Sequence, residues 1–141
     1  MMALAHPALI ETSRELLAAI GWATVTPDFV GAAPVIDQAK RLDPEVFDLD
    51  THRRIFAVLL EQIGPGRGTT WSRTLVELQR RGDDDACEEL VHVATAEGWP
   101  GVVHGHVRVL TEAADARKRW RQAVAELERL AGAPVRVELD G

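Results

Sequence analysis

Apolar residues recur along this chain in short helical stripes, each closed by glycine or proline. The longest stripe lies near the C-terminal end, from Val102 to Ala131. No proline interrupts it, and its one internal glycine is Gly105, in the first turn. Its facing positions are Val103, Val107, Leu110, Ala113, Arg117, Trp120, Val124, Leu127 and Ala131. From Leu110 onward the steps alternate three and four, the heptad spacing of a helix that lies along another helix. Arg117 is the one charged residue on that seam, and it is costly there unless paired; Glu or Asp from a partner helix is the expected counter-ion. At 1.5 Å per residue the stretch spans roughly 45 Å, longer than a domain of this size is wide. Part of it is therefore expected to project or to pack on another chain.

The remaining stripes predict a helical head over about residues 8–101. A first helix is expected from Pro7 to Ile20, with Leu9, Leu16, Leu17 and Ile20 on one face and Gly21 as its stop. Trp22 to Ala33, with Pro27, reads as a loop. Pro34 suits the first turn of a helix through Ala39 to Leu42. Asp43-Pro44 opens a turn that delivers Phe47. A helix from Thr51 to Ile63, capped by Asp50 or Thr51 and stopped by Gly64, carries Ile55, Phe56, Leu59 and Leu60. Gly64 to Gly68 is loop. A helix from Thr70 or Ser72 to Arg81 follows, ended by Gly82. Another starts in Asp83-Asp84-Asp85, whose carboxylates suit a helix N-terminus, and continues to Gly98. Trp99-Pro100-Gly101 is the hinge into the long helix. The tail 132–141 alternates like a strand from Pro134 to Leu139 but has no second strand to pair with. The fold class is all-α, with about six helices in a single domain.

Composition narrows the function classes. A chain of 141 residues with 46% apolar and 27% charged residues is neither disordered nor a membrane protein. A net charge of −6 opposes non-specific binding of nucleic acid by the whole surface, although a local basic patch is compatible with it. The single Cys87 excludes an internal disulfide and fits a reducing cytoplasm. Met1 to Ile10 lacks the basic start of a signal peptide.

No constellation points to catalysis, and no cofactor or metal is expected. Gly64-Pro65-Gly66-Arg67-Gly68 lacks the lysine and the spacing of a phosphate-binding loop. His104 and His106 flank Gly105 and point about 200° apart on a helix, so they do not converge on one metal. His52, at a helix start beside Phe47 and Phe56, reads as a half-buried histidine tying the turn to the head. Arg117-Lys118-Arg119-Trp120-Arg121 is the one dense basic run. Lys118, Arg119 and Arg121 could contact phosphates with Trp120 stacking on a base; alternatively they form the solvated belt of a long helix. The expected partner-binding residues are Leu110, Arg117, Trp120, Val124 and Leu127.

The stretch Phe47-Asp48-Leu49-Asp50-Thr51-His52-Arg53-Arg54-Ile55-Phe56 resembles the signature of the N-terminal domain of DnaB-type replicative helicases, an aromatic followed five residues later by His-Arg and then Ile-Phe. Leu16 to Ile20 resembles that family's opening helix, with Ala18 where a glycine is usual. Leu78 to Gly82, Glu89 to Ala94 and Val103 to Glu112, continued to Arg117, fall in the same order, with His106 where tyrosine is common. The resemblance covers about residues 12 to 131. Two departures stand out. Trp22 to Lys40 is longer than the family's connection, and the chain stops where the family continues into a second hairpin helix, a linker and an ATPase domain. The resemblance implies a helical head plus one arm of a truncated hairpin. It also implies a non-catalytic role in oligomerisation and docking, with self-association through the long helix (dimer or higher) and with primase or a full-length helicase as partners. Nucleic-acid contact would then be weak or indirect. A small nucleic-acid-binding regulator using Arg117 to Arg121 is the alternative.

Overall fold

A computed structural model describes residues 7–25, 31–63 and 71–132, together with Pro134. These form six α-helices and one 3-10 turn: α1 (Pro7–Val25), α2 (Ala32–Arg41), the turn Pro44–Val46, α3 (Asp50–Gln62), α4 (Trp71–Arg80), α5 (Asp84–Ala94) and α6 (Pro100–Ala131). No strand occurs among the described residues, so the all-α expectation holds. The expected loop at Gly64 to Gly68 and the strand-like tail from Val135 lie outside the described residues.

Helix α1 is the axle of the head. It packs against α2, α3, α5 and α6, while α4 sits outside on α3 and α5. Leu16, Leu17, Ala18, Ala19, Ile20 and Ala23 are all buried, on every side of the helix. An apolar surface that runs all round is the mark of a central helix, and the small side chains let its neighbours come close. This explains why Gly21 does not stop α1, as its position in the sequence had led us to expect. The tip of the Trp71 indole occupies the place where a Cβ on Gly21 would sit, and the helix continues to Val25. The loop expected from Trp22 therefore begins with helix.

Other boundaries moved for identifiable reasons. Pro34 lies in the first turn of α2, as its fixed φ favours. Asp43 accepts from the Glu45 backbone N–H at 3.0 Å and nucleates the turn that delivers Phe47. Phe47 is fully buried, its ring centroid 5.1 Å from that of Phe56. Leu49 holds the N-cap position of α3 with no side-chain cap, and Asp50 instead pairs with Arg54 one turn on. Asp83 caps α5 by accepting from the Ala86 N–H, and the Arg54 guanidinium grips the same carboxylate at 2.6 and 3.2 Å. That ion pair fastens the start of α5 to α3 and holds the Asp83 carboxyl below its usual range.

Helix α5 ends at Ala94 and not at Gly98, because Gly98 is pressed onto α1. A Cβ there would meet the Ala19 backbone nitrogen at 2.4 Å and the Ala18 Cβ at 2.5 Å. Pro100 then starts α6 at the position that needs no N–H donor, and Gly132 ends it with φ 69°. With 32 residues, α6 is about 48 Å long. No helix of the described residues is long and apolar enough to cross a membrane.

The two closely packed glycines predict unequal effects. Gly98→Ala, against backbone that cannot move, should destabilise by about 2–4 kcal/mol in urea unfolding. Gly21→Ala meets only the far end of the Trp71 ring and should cost about 1 kcal/mol or less. Equal losses would show that the α1–Gly98 contact is looser than described.

Candidate functional site

Helix α6 changes character at Arg117. Before it, the seam is part of the head: Val103 and Leu110 are buried at 3% and 1% exposure. Leu110 is thus core, which corrects its expected role as a partner-binding residue. Arg117 is half-buried, its Nε 3.2 Å from Asp48 Oδ1 and its Nη2 donating to the Glu45 carbonyl at 3.2 Å. Its counter-ion comes from the same chain and not from a partner helix, a second correction. Asp48 was missed because the pairing joins residues about half the chain apart and has no local signal. Its adjacency to Phe47, whose burial fixes that backbone against α6, is the only hint.

Beyond Arg117 the same face is largely exposed among the described residues. Trp120 is 49% exposed and Leu127 is 54% exposed; Leu130 is exposed as well, and Val124 and Ala131 complete the stripe. Isolated exposed apolar residues are ordinary, but these recur at heptad spacing along one helix face.

Lys118, Arg119 and Arg121 are exposed. Lys118 and Arg121 border a groove of about 590 Å³ between α6 and the segment Arg41 to Val46. Its floor is Leu42, Val46 and Val107, and its rim mixes Arg41 with Asp43, Glu45 and Asp115. The groove is therefore not a uniformly cationic track. Arg119 lies outside it, beside Trp120.

A polar cluster lies where α1, α3 and α5 meet. Glu89 accepts two hydrogen bonds from Arg14, at 2.7 and 2.9 Å, and lies 2.6 Å from His52 Nε2. His52 has no exposure at all, so it is more deeply buried than its sequence context suggested. Burial lowers the His52 pKa below its ordinary value, and the Glu89 contact recovers only part of the shift. The imidazole is then neutral near pH 7, with Nε2–H donating to the carboxylate and Nδ1 carrying a lone pair. Nδ1 has no hydrogen-bond partner, so a second proton there would be a buried donor without an acceptor. Burial pushes the Glu89 carboxyl up, yet the Arg14 and His52 hydrogen bonds carry it below the ordinary value.

This cluster is structural in geometry: it opens onto none of the grooves described. Among the described residues no group of three His, Cys, Asp or Glu side chains could hold a metal ion. His106 instead faces Glu15 of α1 at 3.3 Å. Burial raises the Cys87 pKa, with Asp84 and Asp83 adding to it, which disfavours the thiolate. No family model, no curated protein and no solved structure matches the chain in comparison.

Both members of the cluster set a pH dependence with one sign. The folded state holds fewer protons than the unfolded chain, so stability is fully present above pH 6.5 and declines as His52 is forced to protonate. Glu89 adds a further loss below 4.5. Denaturation midpoints should fall between pH 7 and pH 5, and His52→Gln, which keeps a donor near Nε2 but does not titrate, should flatten that fall. An unchanged slope in the variant would assign the pH dependence elsewhere.

Proposed function

We propose that the chain is a non-catalytic docking and oligomerisation module. It would act in DNA replication in the cytoplasm, in the manner of the N-terminal domain of a replicative helicase. The observation that carries this reading is the division of α6: one unbroken seam is head core up to Arg117 and, among the described residues, largely exposed apolar surface from Trp120 onward. The helical head with one projecting arm also agrees with what the resemblance in Phe47 to Phe56 implies. A rigid head that presents such an arm is suited to positioning a partner.

A second reading rests on the exposure of Lys118, Arg119 and Arg121 around a half-exposed Trp120. Such a patch could stack and neutralise a single strand. The overall charge of −6 and the acids on the groove rim weigh against it.

Immobilised protein should retain primase or helicase from the same source. Trp120→Ala combined with Leu127→Ala should weaken that binding by about 30-fold or more, since a buried interface tryptophan commonly contributes 2 kcal/mol or more. Both side chains are exposed, so circular dichroism should be unchanged. Binding that instead disappears with salt, and on reversing Lys118, Arg119 and Arg121 to Glu, would favour the nucleic-acid reading.

A further inference from the structure

We propose that the groove between α6 and the segment Arg41 to Val46 is a docking surface in its own right, and that its occupant is an acidic amphipathic helix of another protein. This surface belongs to the head. It is separate from the stripe beyond Arg117 and does not depend on what covers that stripe.

Helix α2 packs chiefly on α1 and touches α6 only lightly, so a cleft opens between them. Leu42 and Val107 lie in it half-buried at the edge of the core, with Val46 as part of the floor. A second hollow, of about 630 Å³, shares Arg41, Leu42 and Val107 with the first and extends it to His104. From His104 to Arg121 the cleft follows about 25 Å of α6, or roughly five turns of a second helix laid alongside.

A helix suits this cleft better than an extended segment. The long walls are α6 and α2, whose backbone groups are bonded within their own helices, and no strand edge exists among the described residues. An extended peptide would find no backbone partners there. A helix bonds its own N–H and C=O groups and needs only an apolar face for the floor.

The sign of the partner follows from which charges of the rim are already engaged. Asp43 caps its turn by accepting from the Glu45 N–H, and the Glu45 carboxylate lies 3.6 Å from Arg53. Arg41, Lys118 and Arg121 are exposed and pair with no acid among the described residues. Asp115 is the unpaired acid of the first hollow, and Asp37 lies at the far end of the second. The free charge from Arg41 to Arg121 is therefore net positive. Arg41 lines both hollows and marks the middle of the cleft, while Lys118 and Arg121 mark its end nearest the arm. Carboxylates at those two levels of a partner helix complement them. A nucleic-acid strand fits less well, because the described lining holds no aromatic side chain for a base to stack on.

Fluorescence anisotropy tests this with a labelled sixteen-residue peptide of leucine, alanine and glutamate, its leucines at heptad spacing. At low salt the peptide should bind the full chain saturably, with a Kd of about 100 μM or tighter. Arg41→Glu, Lys118→Glu and Arg121→Glu together should weaken it about 30-fold, and alanine in place of the peptide's leucines about 10-fold or more. Arg119→Glu, on the same basic run but outside the groove, should change it less than about two-fold, as should Trp120→Ala combined with Leu127→Ala. Absence of saturable binding, or binding indifferent to the leucines, would overturn the proposal. So would a loss from Arg119→Glu or from the stripe variant as large as that from the groove reversal, or tighter binding of a sixteen-nucleotide oligothymidylate. Binding that appears only in a full chain carrying Glu138→Lys and Asp140→Lys would assign the groove to this chain's own C-terminal residues and overturn it as well. Peptide binding that survives in a stripe variant unable to retain primase or helicase would support two separate surfaces.

Discussion

The Glu89 carboxylate takes the Arg14 guanidinium from α1 and the His52 imidazole from α3, and so holds α5 to both helices at one point. The three helices bury apolar faces against one another, and that burial is the larger free-energy term, but it is not directional. Apolar contact alone would let α5 slide or rotate on α1 by a residue with little change in buried area. The bidentate Arg14 fork and the short His52 contact admit one position only. Removing Glu89 would leave a guanidinium and an imidazole in a half-desolvated space, which is why the cluster is worth more as a unit than its exposed member, Arg14, would suggest.

From that fixed point the path to α6 is short. With α5 anchored, residues 95–99 bring Gly98 flat onto Ala18 and Ala19, and Pro100 launches α6 from there. The direction of the arm is thus set by a glycine contact at its root and by Arg117 on Asp48 and the Glu45 carbonyl at the head's rim. Two points separated by about 17 residues of helix, roughly 25 Å, fix a direction well. The arm beyond Arg117 inherits that direction, and its apolar stripe is held where the head cannot cover it.

Much of this was legible in the chain. Local signals gave the helices with clear stripes, the turn at Asp43-Pro44, the start of α5 in Asp83 to Asp85 and the long final helix. Long-range contacts decided what local signals could not. Gly21 looks like a stop until Trp71, fifty residues later, is found lying on it. The seam from Leu110 to Leu127 is continuous in periodicity, so periodicity alone assigns all of it to a partner. Only the packing of α1 and the reach of Arg117 to Asp48 divide it into core and surface. Likewise His52 reads as half-buried from its place at a helix start beside Phe47 and Phe56, whereas its partner Glu89 comes from α5.

The basic run from Arg117 to Arg121 shows how burial separates residues that composition groups together. Arg117 is neutralised within the head, and Lys118 and Arg121 edge a groove whose rim carries three acids. Only Arg119 stands clear of it, beside the half-exposed Trp120. Among the described residues, a strand of phosphates following this helix would meet Asp115, Glu45 and Asp43 alongside these cations. A protein helix with apolar residues at heptad spacing would cover Trp120, Val124 and Leu127 at once and leave Lys118, Arg119 and Arg121 at its solvated edge. In such a pairing the cations would act on the orientation and rate of encounter, and the apolar stripe would supply the binding free energy.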